Sequence, residues 1–188
     1  MELQKINWKL YIADPAAADP AVFFKVFNTW IPDSPEIFID VADYGHVHDG
    51  PTTVLVGHHE DYGLDATGRR AGLLYNRRQP MDGGNEEKVR TSLRSILKAC
   101  LRIEQDPAFG GKVRFRTDEL LFLINDRGIG PNTKETYGAV KPTLEKVLAK
   151  VFDGTVPVLE HLDDPRHRFA VKITARAAPS LSNLLGRI

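Results

Sequence analysis

Lys5-Ile6-Asn7-Trp8-Lys9-Leu10-Tyr11-Ile12 is the stretch on which the fold turns. Ile6, Trp8, Leu10 and Ile12 fall on one face, and Lys5, Asn7, Lys9 and Tyr11 on the other. That period of two predicts a half-buried strand. Asp14-Pro15 ends it. Asp19 followed by Pro20 then supplies a helix N-cap and a proline at the first helical position. Val22, Phe23, Val26, Phe27, Trp30 and Ile31 recur at helical spacing up to Pro32. So wide an aromatic stripe suits a helix lying on a sheet.

The same two patterns continue outward. Glu36 to Tyr44 alternates, with Ile37, Ile39 and Val41 on one face. Thr52 to Val56 reads as a strand. Leu64 to Arg69 carries a hairpin loop, and Gly72 to Asn76 is its return strand. Gln79 to Asn85, glycine-rich and containing Pro80, is the clearest break. Glu86 to Gln105 is a helix with Val89, Leu93, Ile96, Leu97, Cys100 and Ile103 as its buried stripe. Lys112 to Arg116 alternates as a short strand.

The run Leu120 to Arg127 has two readings. Thr117-Asp118-Glu119 resembles a cap with an acidic first turn, which predicts a helix. A buried strand is the alternative, and it would set Asn125-Asp126-Arg127 at a strand end, where sites often form. Asn132 with Glu135 resembles a capping box. The helix that follows should kink or restart near Pro142. Val156 to His161 and Arg168 to Thr174 are two more strands, and Ser180 to Leu185 is a short terminal helix.

This order predicts an α+β fold, a mostly antiparallel sheet with helices packed on one face. The first half, β-α-β-β-β, and the second, β-α-β-β, echo each other without a residue-level repeat. A single domain over 1–188 is expected, with a sub-division near 80–85.

Composition narrows the function classes. The chain has 188 residues, 42% apolar and 27% charged, which is globular rather than disordered. The longest apolar run, Leu120 to Ile124, is far short of a membrane span. Met1 to Asn7 lacks the apolar core of a secretory signal, so a cytoplasmic location is expected. Cys100, the one cysteine, excludes an intramolecular disulfide and a multi-Cys metal site.

Net charge is zero, yet it is segregated. Residues 1–65 hold 3 basic and 11 acidic side chains, a net of −8. Residues 66–128 are net +5 and residues 129–188 net +3. A surface dipole follows only if these thirds stay apart in space; otherwise they pair with one another.

Two constellations carry chemistry. Four of the six histidines, His46, His48, His58 and His59, lie within fourteen residues of one another. Imidazole beside carboxylate suits a divalent transition metal, and His46 and His48 would point the same way in an extended segment. The candidate ligands are His46, His48 and His58, with Asp49 or Glu60 as a further ligand or base. If the intervening residues form one strand, however, His48 and His58 stand about 30 Å apart.

The second constellation is basic. Arg69, Arg70, Arg77 and Arg78 bracket a strand, and Arg90, Arg94, Lys98 and Arg102 recur every four residues on a helix. Convergence would make a site for an anionic ligand or a nucleic-acid backbone. The alternative is a solvated face paired with nearby acids.

No phosphate-binding loop, dinucleotide fingerprint, nucleophile elbow or H-E-x-x-H motif is present. The sequence therefore reads as a non-catalytic binding or assembly protein: a homo-oligomer or an anion-binding module. The second reading is a small metal-dependent enzyme built on His46, His48 and His58.

Overall fold

Most strands and helices fall where the residue patterns place them. The strand Glu60–Asp65, however, is not among those expected, and the short strand expected at Lys112–Arg116 is only the start of one running Phe115–Ile124. The computed structural model describes residues 1–47 and 49–188. In chain order its elements are β1 (Ile6–Ile12), α1 (Pro20–Asp33), β2 (Phe38–Asp43), β3 (Pro51–Gly57), β4 (Glu60–Asp65) and β5 (Gly72–Arg77). Then come α2 (Asn85–Gln105), β6 (Phe115–Ile124), α3 (Lys134–Val151), β7 (Val158–His161), β8 (Ala170–Thr174) and α4 (Leu181–Gly186).

The strands form one eight-stranded sheet in the order β2-β3-β4-β5-β1-β6-β8-β7. Every neighbouring pair is antiparallel. The four helices pack on one face of it, as an α+β fold requires. On that face Trp8 meets Phe122 edge-on, and its Nε1 donates to Ser92 Oγ of α2 at 2.9 Å. Trp30 of α1 packs against Tyr62 and Phe38. One apolar cluster runs from α1 to α4 without a gap.

The two halves repeat a path. β1 and β6 lie side by side at the centre. Each is followed by a helix that carries the chain to a sheet edge, β2 or β7. Each path then returns by antiparallel neighbours until it pairs with its own starting strand, β5 beside β1 and β8 beside β6.

Four local expectations are corrected. In β2 the core residues are Phe38 and Val41, while Ile39 and the preceding Ile37 are exposed. A bulge between Phe38 and Asp40 shifts the pleat by one residue, so simple alternation fails. The run after Thr117 is strand, not helix. Thr117 donates its hydroxyl to Pro179 O instead of capping, and β6 is held by β1 on one side and β8 on the other.

The cap of α3 is Thr133, whose Oγ1 accepts from Thr136 N, and not Asn132. Asn132 Nδ2 instead donates to the carbonyls of Leu162 and Asp164. Finally, α3 does not restart at Pro142 but runs through it as one helix. A helix-interior proline costs about 3 kcal/mol. Burying Val140, Leu144, Val147, Leu148 and Val151 recovers about 1.5–3 kcal/mol each, so packing wins.

Candidate functional site

The face of the sheet without helices is where the polar residues of the central strands gather. Asn7, Lys9 and Tyr11 of β1 point to it, opposite Trp8 and Leu10. All three are nonetheless buried, Asn7 to 1% exposure. Register explains their neighbours. Asn7 stands beside Asn76 of β5, which stands beside Asp61 of β4. One step along, Lys9, Leu74 and Gly63 make the next row; beyond it lie Tyr11, Gly72 and Asp65. Gly72 is required here, because a Cβ would sit 2.4 Å from the Leu10 carbonyl oxygen.

The row at Tyr11 is an ion-pair network. Lys9 Nζ lies 2.5 Å from Asp65 Oδ2, with both side chains almost fully buried. Burial pushes the Lys9 ammonium below its ordinary pKa, and Asp65 opposes that shift. Thr67 Oγ1 donates to the other Asp65 oxygen at 2.7 Å. Arg70 lies 3.8 Å over the Tyr11 ring and grips Glu119 with both terminal nitrogens, at 2.6 and 3.0 Å. Arg116 adds a contact to Glu119 at 3.1 Å and holds Asp118. The Arg70 hydrogen bonds hold the Glu119 carboxyl below its usual range, and Arg116 does the same to Asp118.

The row at Asn7 continues into a chain of side-chain hydrogen bonds. Arg168 Nη1 donates to Asn125 Oδ1 at 2.8 Å. Asn125 Nδ2 donates to Asn76 Oδ1, and Asn76 Nδ2 to Asp61 Oδ2, both at 3.2 Å. Gly57 N donates to the second Asp61 oxygen at 3.1 Å, with Arg78 Nη1 3.5 Å from it.

Between the two rows lies a hollow of about 470 Å³. Val54, Gly63 and Leu74 give it an apolar floor; Asp49, Asp61, Asp65 and Asn125 stand around it. Asn7 lines it as well. Its Oδ1 is buried and accepts a hydrogen bond from no described group. Asn7 is thus the polar side chain left over after its neighbours have satisfied one another.

The candidates from sequence are placed differently. His46 is exposed and packs edge-on against Tyr44. His48 lies outside the described residues. His58 is exposed at the β3–β4 turn against the His59 ring. All of β3, about 23 Å at strand rise, separates His46 from His58. Among the described residues no three His, Cys, Asp or Glu side chains are grouped to hold a metal ion.

The arginines are dispersed. Arg69 and Arg70 lie at one end of β5 and Arg77 and Arg78 at the other, while Arg90 and Arg94 are on α2. Arg77 pairs with Glu60, Arg78 with Asp61 and Arg70 with Glu119, and Arg94 donates to the Ile188 carbonyl. Three of the pairs joining the acidic first third to the basic middle third are Glu60–Arg77, Asp61–Arg78 and Glu2–Lys88. To that extent the segregated charge cancels inside the fold.

Tyr62 and Tyr75 belong to the helix-covered face. Both phenols donate to Glu60, at 2.8 and 2.9 Å, and burial pushes both above the ordinary phenol range.

Sequence reasoning missed Asn7, Asp61, Asp65 and Asn76 as site residues. The alternation of Asp61, Gly63 and Asp65 against Tyr62 and Leu64 was the signal that could have found two of them. Asn125 was legible from its place after the apolar run, once that run is a strand. No protein-family model matches the chain, and no curated protein matches its sequence. Among the described residues no helix is long and apolar enough to cross a membrane.

Proposed function

We propose that the chain is a non-catalytic binding protein whose ligand seat is the hollow on the open face of the sheet. The observation that carries this reading is Asn7, which lines the hollow and keeps a buried Oδ1 with no described donor. Leaving such a group unbonded costs about 1–3 kcal/mol, a cost that a bound donor would remove. The ligand class follows from the surrounding groups. Asp49, Asp61, Asp65 and Asn7 offer acceptors, whereas Lys9 and Arg78 are paired with Asp65 and Asp61, and Arg168, with one nitrogen on Asn125, is a single cation among three carboxylates. The seat therefore suits a small polar molecule presenting O–H or N–H groups, a polyol or an amine. Its carboxylates are tied into hydrogen bonds, which fits recognition better than proton transfer.

The test is NMR of the labelled protein titrated with a panel of polyols, amines and dicarboxylates. Perturbations centred on Asn7, Gly63 and Asn125, lost in Asn7→Leu, are expected for a polyol or amine. Binding unchanged in Asn7→Leu, or no perturbation by any member, would refute the reading.

A second reading, self-association, rests on the sheet edges. β2 exposes Ile39, with Ile37 exposed just before it, and β7 exposes Val158. Edge strands also carry unpaired backbone groups, so apolar side chains there favour strand-to-strand contact. Sedimentation velocity should show an oligomer that Ile39→Lys or Val158→Lys dissociates. A parent protein that stays monomeric at all concentrations would remove this reading.

A further inference from the structure

The helix-covered side holds a separate cavity of about 240 Å³, between the C-terminal end of α1, the middle of α2 and the start of β2. Trp30, Phe38 and Tyr62 wall it, and Ser34, Lys98 and Arg102 bring polar groups to it. Trp30 is 2% exposed, and its indole Nε1 donates to no described group. An indole nitrogen can only donate, so what it lacks is an acceptor.

The neighbours are donors too. Arg102 lies 4.4 Å over the Trp30 ring, with its Nη1 donating to Ser34 Oγ at 2.8 Å. Lys98, one helical turn earlier on α2, reaches the same cavity. Among the described residues neither cation has a carboxylate oxygen within 4.0 Å, whereas Arg70, Arg77, Arg78 and Arg116 each do. Of the basic ridge along α2, this is the end that meets a cavity walled by a tryptophan whose buried N–H is unmet.

We propose that this cavity binds a small oxyanion, a carboxylate or phosphate group, held by Trp30 Nε1, Lys98 and Arg102. The stacking of the guanidinium on the indole fixes its fork before the ligand arrives, which reduces the ordering cost of binding. Two groups oppose an anion here. Glu36 also lines the cavity, and the carbonyl end of α1 is its negative pole. Affinity is therefore modest, and Glu36→Gln raises it. The cavity is on the opposite side of the sheet from the hollow at Asn7, so the two sites stand or fall separately.

The experiment follows the indole N–H signals of Trp30 and Trp8 in labelled protein, with Trp30→Phe providing the assignment. Sodium phosphate and sodium acetate are titrated against sodium chloride at matched ionic strength. A saturable shift of the Trp30 signal is expected, with the Trp8 signal, bonded to Ser92, unmoved. Saturation by phosphate alone identifies a phosphate site, and saturation by acetate a carboxylate site. Lys98→Gln and Arg102→Gln should each weaken binding by about tenfold or more. Arg102→Gln also removes the stack, so the exposed Lys98→Gln is the cleaner variant. Equal shifts with chloride, a Trp30 signal that does not move, or undiminished binding in a folded Lys98→Gln protein would overturn the proposal.

Discussion

Replacing Asn7 by leucine should make this protein more stable. Asn7 is 1% exposed and its Oδ1 accepts from no described group. A buried polar atom left in that state costs about 1–3 kcal/mol, and an apolar side chain of similar shape does not incur it. Leucine suits the position, because Leu123 stands directly across in β6 and Leu74 lies in the adjoining row. Allowing about 1 kcal/mol for whatever the Nδ2 group gains from solvent, Asn7→Leu should raise stability by up to about 2 kcal/mol.

For a chain of this size that is an increase in melting temperature of up to about 8 °C. The internal control is Asn76→Leu on the adjacent strand. Asn76 both donates to Asp61 and accepts from Asn125, so its loss should destabilise by about 1–2 kcal/mol. Calorimetry and guanidinium titration of both variants decide the matter. If Asn7→Leu is less stable than the parent by more than about 1 kcal/mol, the acceptor is met by an ordered water and the reasoning fails.

Three further outcomes are expected. Asp65→Asn strands the buried Lys9 ammonium and should cost about 3–5 kcal/mol by denaturant titration, and Lys9→Met combined with Asp65→Leu should recover most of it. Glu119 is held below its ordinary 4.5 by Arg70 and Arg116, so the unfolded chain takes up that proton first. Stability should therefore fall as pH drops below 4.5 and continue falling until the folded carboxyl titrates; a Glu119→Gln protein with an equally steep acid limb contradicts this. Cys100 is fully buried and its thiol is pushed up by burial, so a disulfide reagent should label it only at the rate of unfolding.

Much of the fold was legible because its signals are local. The alternation over Ile6–Ile12, the Asp19-Pro20 start of α1 and the stripe of α2 each depend on near neighbours in sequence. What failed depended on distant partners. Nothing in Glu36 to Tyr44 marks the bulge that turns Phe38 inward and Ile39 outward. The cap-like Thr117-Asp118-Glu119 lost to pairing with β1 and β8.

The candidate site was harder to read for the same reason. Asn7 and Lys9 sit on the polar side of an alternating strand, which in isolation is a solvent face. They are buried because β1 lies at the centre of eight strands, and Asp65, Arg70 and Glu119 close over that face from elsewhere. The histidine cluster and the arginine ridge were conspicuous because they are dense in sequence. That density did not bring His46 to His58, which β3 separates, or Arg69 and Arg70 to Arg77 and Arg78, which stand at opposite ends of β5.

The central position of β1 also sets the timing of folding. Its neighbours are β5 and β6, and the second of these begins only at Phe115. At a synthesis rate of about 5–20 residues per second, β1 leaves the ribosome on the order of 5–20 s before β6 can flank it. Until β5 is made both edges of β1 are open, and from then until β6 one edge stays open beside Ile6, Trp8, Leu10 and Ile12. The yield of folded chain should therefore depend on how long that edge stays open as well as on the stability of the finished sheet.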